Sequence, residues 1–350
     1  MKAVILAGGE GTRLRPLTLS TPKPVVPVVD RPFLRHQLDL LLRAGVREVV
    51  FSVAYRPERV EAVFGDGSAL GLRIRYAVED TPLGTGGAVR NALPLLDERT
   101  IVLNGDILSD VDVGTIVARH EAERASASIL LAPVPNPAAY GLVETDASGR
   151  VLRFLEKPRP EQITTNNINA GVYVLESKTL ELMPAGVNTS IERVFFPGLL
   201  ARGDKVLGPV HRGYWIDIGT PEKYLQVHRD ILNRRFPVPL DGVARADGFV
   251  HPSARVATDA MLDGHFYVGP GCVVEGGARL GPDAVLVADV RVAGGAYVRD
   301  SVLWRGATVE RECDVEGSLV GPGARLGRSS VLRHTVLGEG SVLSDYSRTL

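Results

Sequence analysis

From residue 250 onward, apolar residues recur every six positions, at Val250, Val256, Leu262, Val268, Val274, Leu280, Leu286, Val292 and Val298. The series continues through Leu303, Val309, Val315, Val320, Leu326, Leu332, Leu337 and Leu343, in steps of 5, 6, 6, 5, 6, 6, 5 and 6. After Val298, one step in every three is therefore short by a single position. An α-helix repeats every 3.6 residues and a strand every 2, so neither produces this register. A six-residue unit fits one face of a triangular β-solenoid, in which three units make a turn and the apolar residue points inward. Small residues two positions earlier (Ala254, Ala260, Cys272, Ala278, Ala284, Ala296) suit such an interior. Pairs such as Gly269–Pro270, Gly276–Gly277 and Gly321–Pro322 suit its corners.

The chain from 1 to 233 follows a different rule. Short β-rich runs at 3–6, 48–53 and 100–103 alternate with helical patterns at 33–44, 57–64, 84–96 and 111–124. That alternation predicts βαβ units and a largely parallel sheet, a Rossmann-like α/β domain. Strand-like runs at 126–134, 141–144 and 168–175 predict an added mixed-sheet region, and a helix at 221–233 closes the half. The expected division is 1–233, a linker at 234–249 rich in Pro, Asp and Gly, and a solenoid at 250–350.

Composition removes several functional classes. With 45% hydrophobic and 23% charged residues the chain has material for a core and is not disordered as a whole. A net charge of −1 gives no global attraction to nucleic acid or anionic membrane. No apolar run approaches the roughly 20 residues of a membrane span, and the N-terminus reads as no signal peptide. Two cysteines, Cys272 and Cys313, make no disulfide framework and fit a reducing cytoplasm. Cys272 reads as solenoid core, while the sequence leaves Cys313 open.

The chemistry opens at the end of the first strand. Leu6-Ala7-Gly8-Gly9-Glu10-Gly11-Thr12-Arg13 is a glycine-rich turn whose N–H groups can approach phosphate oxygens. Arg13 can fork onto a phosphate, and Lys23, between Pro22 and Pro24, adds a point charge. The dinucleotide fingerprint fails because Leu14 stands where Gly or Ala is needed, and no P-loop Gly-Lys-Ser/Thr exists. Asp106 closes the strand-like run at 100–103, at the edge where open α/β sheets bind ligands. Asp110 and Asp112 read as solvent or N-cap residues before a helix beginning at Val111. Trp215 and Trp304 read as packing, and the seven histidines show no metal-ligand spacing.

Further motifs follow in order: Pro82-Leu83-Gly84-Thr85, Leu103-Asn104-Gly105-Asp106, Tyr140-Gly141, Phe154-Leu155-Glu156-Lys157-Pro158, Asn169-Ala170-Gly171 and Trp215-Ile216-Asp217-Ile218-Gly219-Thr220-Pro221. With the opening loop they resemble the sugar-1-phosphate nucleotidyltransferases over residues 1 to about 230, nearest the mannose-1-phosphate guanylyltransferase branch. The tail resembles the hexapeptide-repeat, left-handed β-helix family. The resemblance implies attack of a sugar 1-phosphate on the α-phosphorus of a nucleoside triphosphate, with release of pyrophosphate. It implies that Leu6, Ala7, Gly8, Gly9, Gly11, Thr12, Arg13, Lys23, Glu79, Gly84 and Asp106 meet the nucleotide. Gly141, Glu156, Lys157 and Asn169 would meet the sugar phosphate, and Asp106 and Asp217 would hold Mg²⁺, a hard cation suited to carboxylates and phosphates. It also implies a homo-oligomer joined through the β-helix.

Base choice turns on Glu79. Where pyrimidine-using relatives place a Gln, this chain has an acid, which only accepts hydrogen bonds when ionised. Guanine offers N1–H and N2–H₂ side by side, whereas uracil and thymine offer one N–H flanked by acceptors. GTP is therefore expected, and the resemblance implies mannose 1-phosphate as its partner substrate. A UTP- or dTTP-dependent glucose-1-phosphate enzyme is the rival, and Asp80 is the alternative reader. Acetyl transfer in the tail would need a protruding loop near His251, His265 or His334, and the unbroken register leaves no room for one. A non-catalytic relative is opposed by the presence of Arg13, Lys23, Asp106, Lys157 and Asp217.

Overall fold

A computed structural model describes residues 1–349. The chain forms two compact units: Met1–Glu10 with Leu34–Asp217, and Gly11–Phe33 with Ile218–Leu350. Neither unit is one continuous stretch of chain.

The first unit is built on a nine-stranded mixed sheet. Its strands are β1 (Lys2–Leu6), β2 (Glu48–Val53), β3 (Arg73–Val78) and β4 (Arg99–Asn104), then β6 (Ala127–Pro133), β7 (Gly141–Thr145), β8 (Val151–Glu156), β9 (Asn167–Glu176) and β10 (Val206–Leu207). β5 (Ile107–Ser109) lies outside this sheet and pairs with β11 (Trp215–Asp217). The main order is β8-β7-β9-β4-β1-β2-β3, with β6 on β9 and β10 on β6. β4, β1, β2 and β3 run parallel, and β9 pairs antiparallel to β4. The α/β expectation holds, with the mixed region added at one side.

Helix α1 (Phe33–Arg43) buries Phe33, Leu34, Leu38 and Leu41 completely and stops at Gly45, which takes φ +79. Helix α2 (Pro57–Phe64) follows β2. Helix α3 (Gly84–Ala92) is shorter than expected, because Pro94 cannot donate an interior N–H and a 3₁₀ turn, Leu93–Leu95, replaces its last part. Helix α4 (Val113–Ala122) starts later than expected, since the Asp112 carboxylate caps the Gly114 and Thr115 N–H groups. Strands β3 and β8 had no counterpart in the sequence reading.

In the second unit three sheets of seven, six and six strands, parallel apart from the first strand of the seven, surround one apolar core, as in a left-handed β-helix. Val250 pairs with Val268, Val268 with Leu286, Leu286 with Leu303, Leu303 with Val320 and Val320 with Leu337. The coil therefore shortens by a single position after Leu286, matching the change of step read in the sequence. The residue lost from each later coil falls at a corner where the side chains of Ser301, Ser318 and Thr335 form a ladder. Ser301 Oγ accepts the Ser318 N–H at 3.0 Å, and Ser318 Oγ accepts the Thr335 N–H at 3.1 Å. Each hydroxyl also donates to the carbonyl two positions back. Cys272 and Cys313 are both buried in this core, and burial pushes the Cys272 thiol up to about 11.

The segment expected to be a linker contains structure of its own. Val243–Arg245 pairs antiparallel with Gly248–Val250, which opens the seven-stranded face. Helix α5 (Pro221–Leu232) is capped by Thr220 and tied to its own unit from both sides. Its Tyr224 hydroxyl donates to the Pro27 carbonyl, its Tyr224 ring meets Trp304 edge-on, and Arg229 forks onto Asp300.

Candidate active site

In the first unit the ends of four neighbouring strands are fastened to one another. At the end of β1 the Ala7 N–H donates to the Ser52 carbonyl, and the Leu6 carbonyl accepts the Gly105 N–H at 2.9 Å. A Cβ on Gly105 would lie 2.3 Å from that same Leu6 oxygen, so only glycine lets the turn before Asp106 close onto β1. From α1, Gln37 Nε2 donates to the Asn104 and Ile107 carbonyls at 2.8 and 2.7 Å, clamping the turn on either side of Asp106. Gly8 lies against Ala54 and the Glu79 carboxylate, whereas nothing stands within 4 Å of a Cβ on Gly9.

Glu79 is 7% exposed, and both of its oxygens are engaged. Oε1 accepts the Ser52 hydroxyl and Oε2 the Leu83 N–H, each at 2.9 Å. The carboxylate thus closes the turn 79–83, a duty the sequence did not reveal, and each oxygen retains a second lone pair. Asp80 is exposed. Gly84, at φ +67, abuts the Thr189 carbonyl and Asn188, and the Thr189 carbonyl takes the Gly86 and Gly87 N–H groups. The N-terminus of α3 is therefore closed by this chain's own backbone.

In the antiparallel pair β5–β11, Asp217 stands opposite Ile107, the residue after Asp106. Asp217 is 8% exposed, and its Oδ1 accepts the Tyr140 hydroxyl at 2.9 Å. Tyr140 also meets Trp215 edge-on, and Trp215 Nε1 donates to the Ala170 carbonyl at 2.9 Å. Ala170 lies in a break of the β9–β6 register between Asn169 and Tyr173. There Asn169 accepts the Gly171 N–H and donates to the Tyr173 hydroxyl. Gly171, at φ +72, lies where a Cβ would fall 2.8 Å from Asn104 Nδ2. Asp217 and the segment carrying Asn169 are thus linked through Tyr140, Trp215 and Ala170, with Gly171 closing onto Asn104.

Glu156 stands opposite Gly141 in the β8–β7 pair, and a Cβ on Gly141 would fall 2.9 Å from Glu156 Oε2. Burial, then the neighbouring Glu192 charge, holds the Glu156 carboxyl above its usual range. Lys157 is exposed at φ +50, a left-handed conformation uncommon for lysine, and its N–H donates to the Tyr140 carbonyl. Arg13, Thr12, Gly11 and Lys23 belong to the second unit. There Gly11, at φ +65, accepts the Thr18 hydroxyl at 2.8 Å, and Lys23 is 8% exposed in a short 3₁₀ turn. The Arg13 guanidinium covers Gly219, which follows shortly after Asp217 in the chain.

A family model described as nucleotidyl transferase matches residues 2–234. The chain belongs to the nucleotidyl transferase family. A second model, described as a GMPPB C-terminal domain, matches residues 245–347. This nucleotidyl transferase is 44% identical to a mannose-1-phosphate guanylyltransferase of Mycobacterium tuberculosis, over 85% of this chain and 82% of the relative. It is 31% identical to a UTP–glucose-1-phosphate uridylyltransferase of Synechocystis, over 93% of this chain and 86% of that one. Among solved structures, HddC from Yersinia pseudotuberculosis in complex with GMP-PN superposes with TM-score 0.56 at 30% identity. That match covers 65% of this chain and 97% of HddC.

Some contributors to the nucleotidyl transferase site escaped the sequence reading. Gln37 is one, although a glutamine among the buried residues of α1 was a signal that a polar partner waits inside. Glu192 is another. Its carboxylate accepts the Thr85 and Ser190 hydroxyls at 2.7 Å, tying the first turn of α3 to the turn at 190–192. No local pattern marks it.

Proposed function

We propose that this chain transfers a guanylyl group from GTP to mannose 1-phosphate, forming GDP-mannose and pyrophosphate. The observation that supports this reading is the β5–β11 register, in which Asp217 stands opposite Ile107, the residue after Asp106. The guanine preference is supported by the relative at 44% identity and by the acid at position 79. A sugar-phosphate oxygen attacks the α-phosphorus, and the bond from that phosphorus to the bridging oxygen of pyrophosphate breaks. A phosphate monoester with a second pKa near 6 is mostly dianionic at neutral pH, so the nucleophile needs no general base. The difficulty lies in bringing two polyanions together, which makes positioning and charge neutralisation the catalytic task.

Arg13 and Lys23 hold the triphosphate and stabilise the departing pyrophosphate, while the open side of Gly9 admits phosphate oxygens to the backbone. Lys157, presented by its left-handed backbone, holds the sugar phosphate. Glu156 and Asn169 accept or donate hydrogen bonds to sugar hydroxyls, with Gly141 leaving the space. Among the described residues no group of three or more acids, histidines or cysteines converges. Asp106 and Asp217, as hard oxygen donors, are the residues that would hold a Mg²⁺ completing its coordination on phosphate oxygens. Such an ion, when bound, would neutralise charge on both substrates. The reading also includes self-association through the β-helix and action in the cytoplasm. Among the described residues no helix is long and apolar enough to cross a membrane.

Pyrophosphate release measured across GTP, UTP, dTTP and ATP, each with mannose 1-phosphate and glucose 1-phosphate, tests the assignment. Highest turnover with GTP and mannose 1-phosphate is expected, and activity confined to UTP or dTTP overturns the guanine argument. Asp106→Asn is expected to lower turnover at least ~100-fold, the scale of losing one preorganised electrostatic group. Near-normal turnover would remove Asp106 from the metal site.

A further inference from the structure

We propose that the β-helix coil at 336–341 is a positioning element for the loop that carries Arg13, with Gly338 as its point of contact. The inference rests on the assignment of Arg13 and Lys23 to the triphosphate.

The loop Gly11–Phe33 belongs to the same compact unit as the β-helix. Within that unit a Cβ on Gly338 would fall 3.1 Å from Pro16 Cβ and 3.4 Å from Pro16 Cγ. Backbone conformation does not explain this glycine, because Gly338 is not among the residues with positive φ, whereas Gly340 is, at +64. Its place in the coil does not explain it either. Leu303, Val320 and Leu337 are successive register partners, so Trp304, Gly321 and Gly338 occupy the same station one coil apart. Trp304 fills this station with a large side chain, and a Cβ on Gly321 would meet the backbone of the next coil at 2.7 Å, whereas a Cβ on Gly338 would meet no coil backbone that close. The neighbour that the missing Cβ spares at Gly338 is the proline ring.

The contact lies beside an open groove of about 380 Å³, bounded by Pro16, Leu19 and Ser20 on the loop and by Leu337, Gly338 and Glu339 on the coil. Ser20 Oγ is buried there without a hydrogen-bond partner among the described residues. From Pro16 the support reaches Arg13 through a tight succession of bonds. The Leu19 N–H donates to the Pro16 carbonyl, the Thr18 hydroxyl to the Gly11 carbonyl, and the Leu14 N–H to that same Gly11 carbonyl. Leu14, Leu17 and Thr18 are all at most 1% exposed. A displaced Pro16 therefore carries the backbone around Arg13 with it.

The test uses the full-length chain with Gly338→Ala and the larger Gly338→Val, read by hydrogen exchange of amides 11–20, by steady-state kinetics and by thermal midpoint. Gly340→Ala is the control, since it strains the same coil but meets nothing within 4 Å. Gly338→Val should raise exchange in 11–20 and raise the KM for the triphosphate about tenfold or more, as misplacement of a substrate-holding group does. Gly338→Ala should give a smaller change of the same kind, and it remains informative if the valine variant fails to fold. Faster exchange with an unchanged KM would uphold the positioning role and instead remove Arg13 from the triphosphate. Unchanged exchange in folded Gly338 variants, or an equal effect from Gly340→Ala, overturns the proposal.

Discussion

The Glu79 carboxylate accepts the Ser52 hydroxyl with one oxygen and the Leu83 N–H with the other, so its two tasks need variants that separate them. Glu79→Gln keeps an oxygen for Leu83 and can donate its amide to the Ser52 oxygen, yet it cannot accept from guanine with two oxygens. Its thermal midpoint should stay within about 2 °C of the parent. Its preference for GTP over UTP, measured as a ratio of kcat/KM, should fall about tenfold. Glu79→Ala strands two donors at about 1–3 kcal/mol each and should lower the midpoint by several degrees as well. An unchanged base preference in Glu79→Gln would confine the residue to bracing the turn. Gly219 is another single-residue case. A Cβ there would fall 2.7 Å from Arg13 Nη2, the far end of a flexible side chain that can swing away at little cost. Gly219→Ala should therefore leave the thermal midpoint nearly unchanged while turnover falls about tenfold or more.

At the scale of elements, the shortened coils depend on the hydroxyl ladder that replaces their missing residue. Ser318 is fully buried, with a donor on one side and an acceptor on the other. Ser318→Ala should cost about 1–3 kcal/mol, seen as a drop of several degrees in thermal midpoint. Ser318→Thr should stay near the parent, since Thr335 already fills the next rung. The solenoid was legible in the sequence because its period is sampled in every coil, so one irregular unit cannot hide it. The family motifs were legible because each is a short run at or near one strand end. Strands β3 and β8 were not, because their exposed arginines and edge positions blur the alternation. Gly105 and Gln37 could be found in the sequence, but their purpose could not, since both answer to backbone atoms far away in the chain.

For the whole molecule, the division into units has a consequence for how far the chain can be cut. Ending it after Asn233 removes the β-helix with which Gly11–Phe33 forms its unit, although nearly the whole span of the nucleotidyl transferase model remains. The truncated chain should keep the circular-dichroism signature of an α/β sheet and lose turnover with GTP. Full activity would show that the loop finds its conformation without the tail. The same arrangement bears on synthesis. Pro16 leaves the ribosome early, while Gly338, which it touches, follows only when almost all of the chain has been made. At ~5–20 residues per second that interval is roughly 15–65 s. During it the early strands can pair, the sheet can close and helix α5 can reach Pro27, but Pro16 still lacks the coil it packs against. A segment among the first to be translated thus meets its last support only when the final coils have emerged.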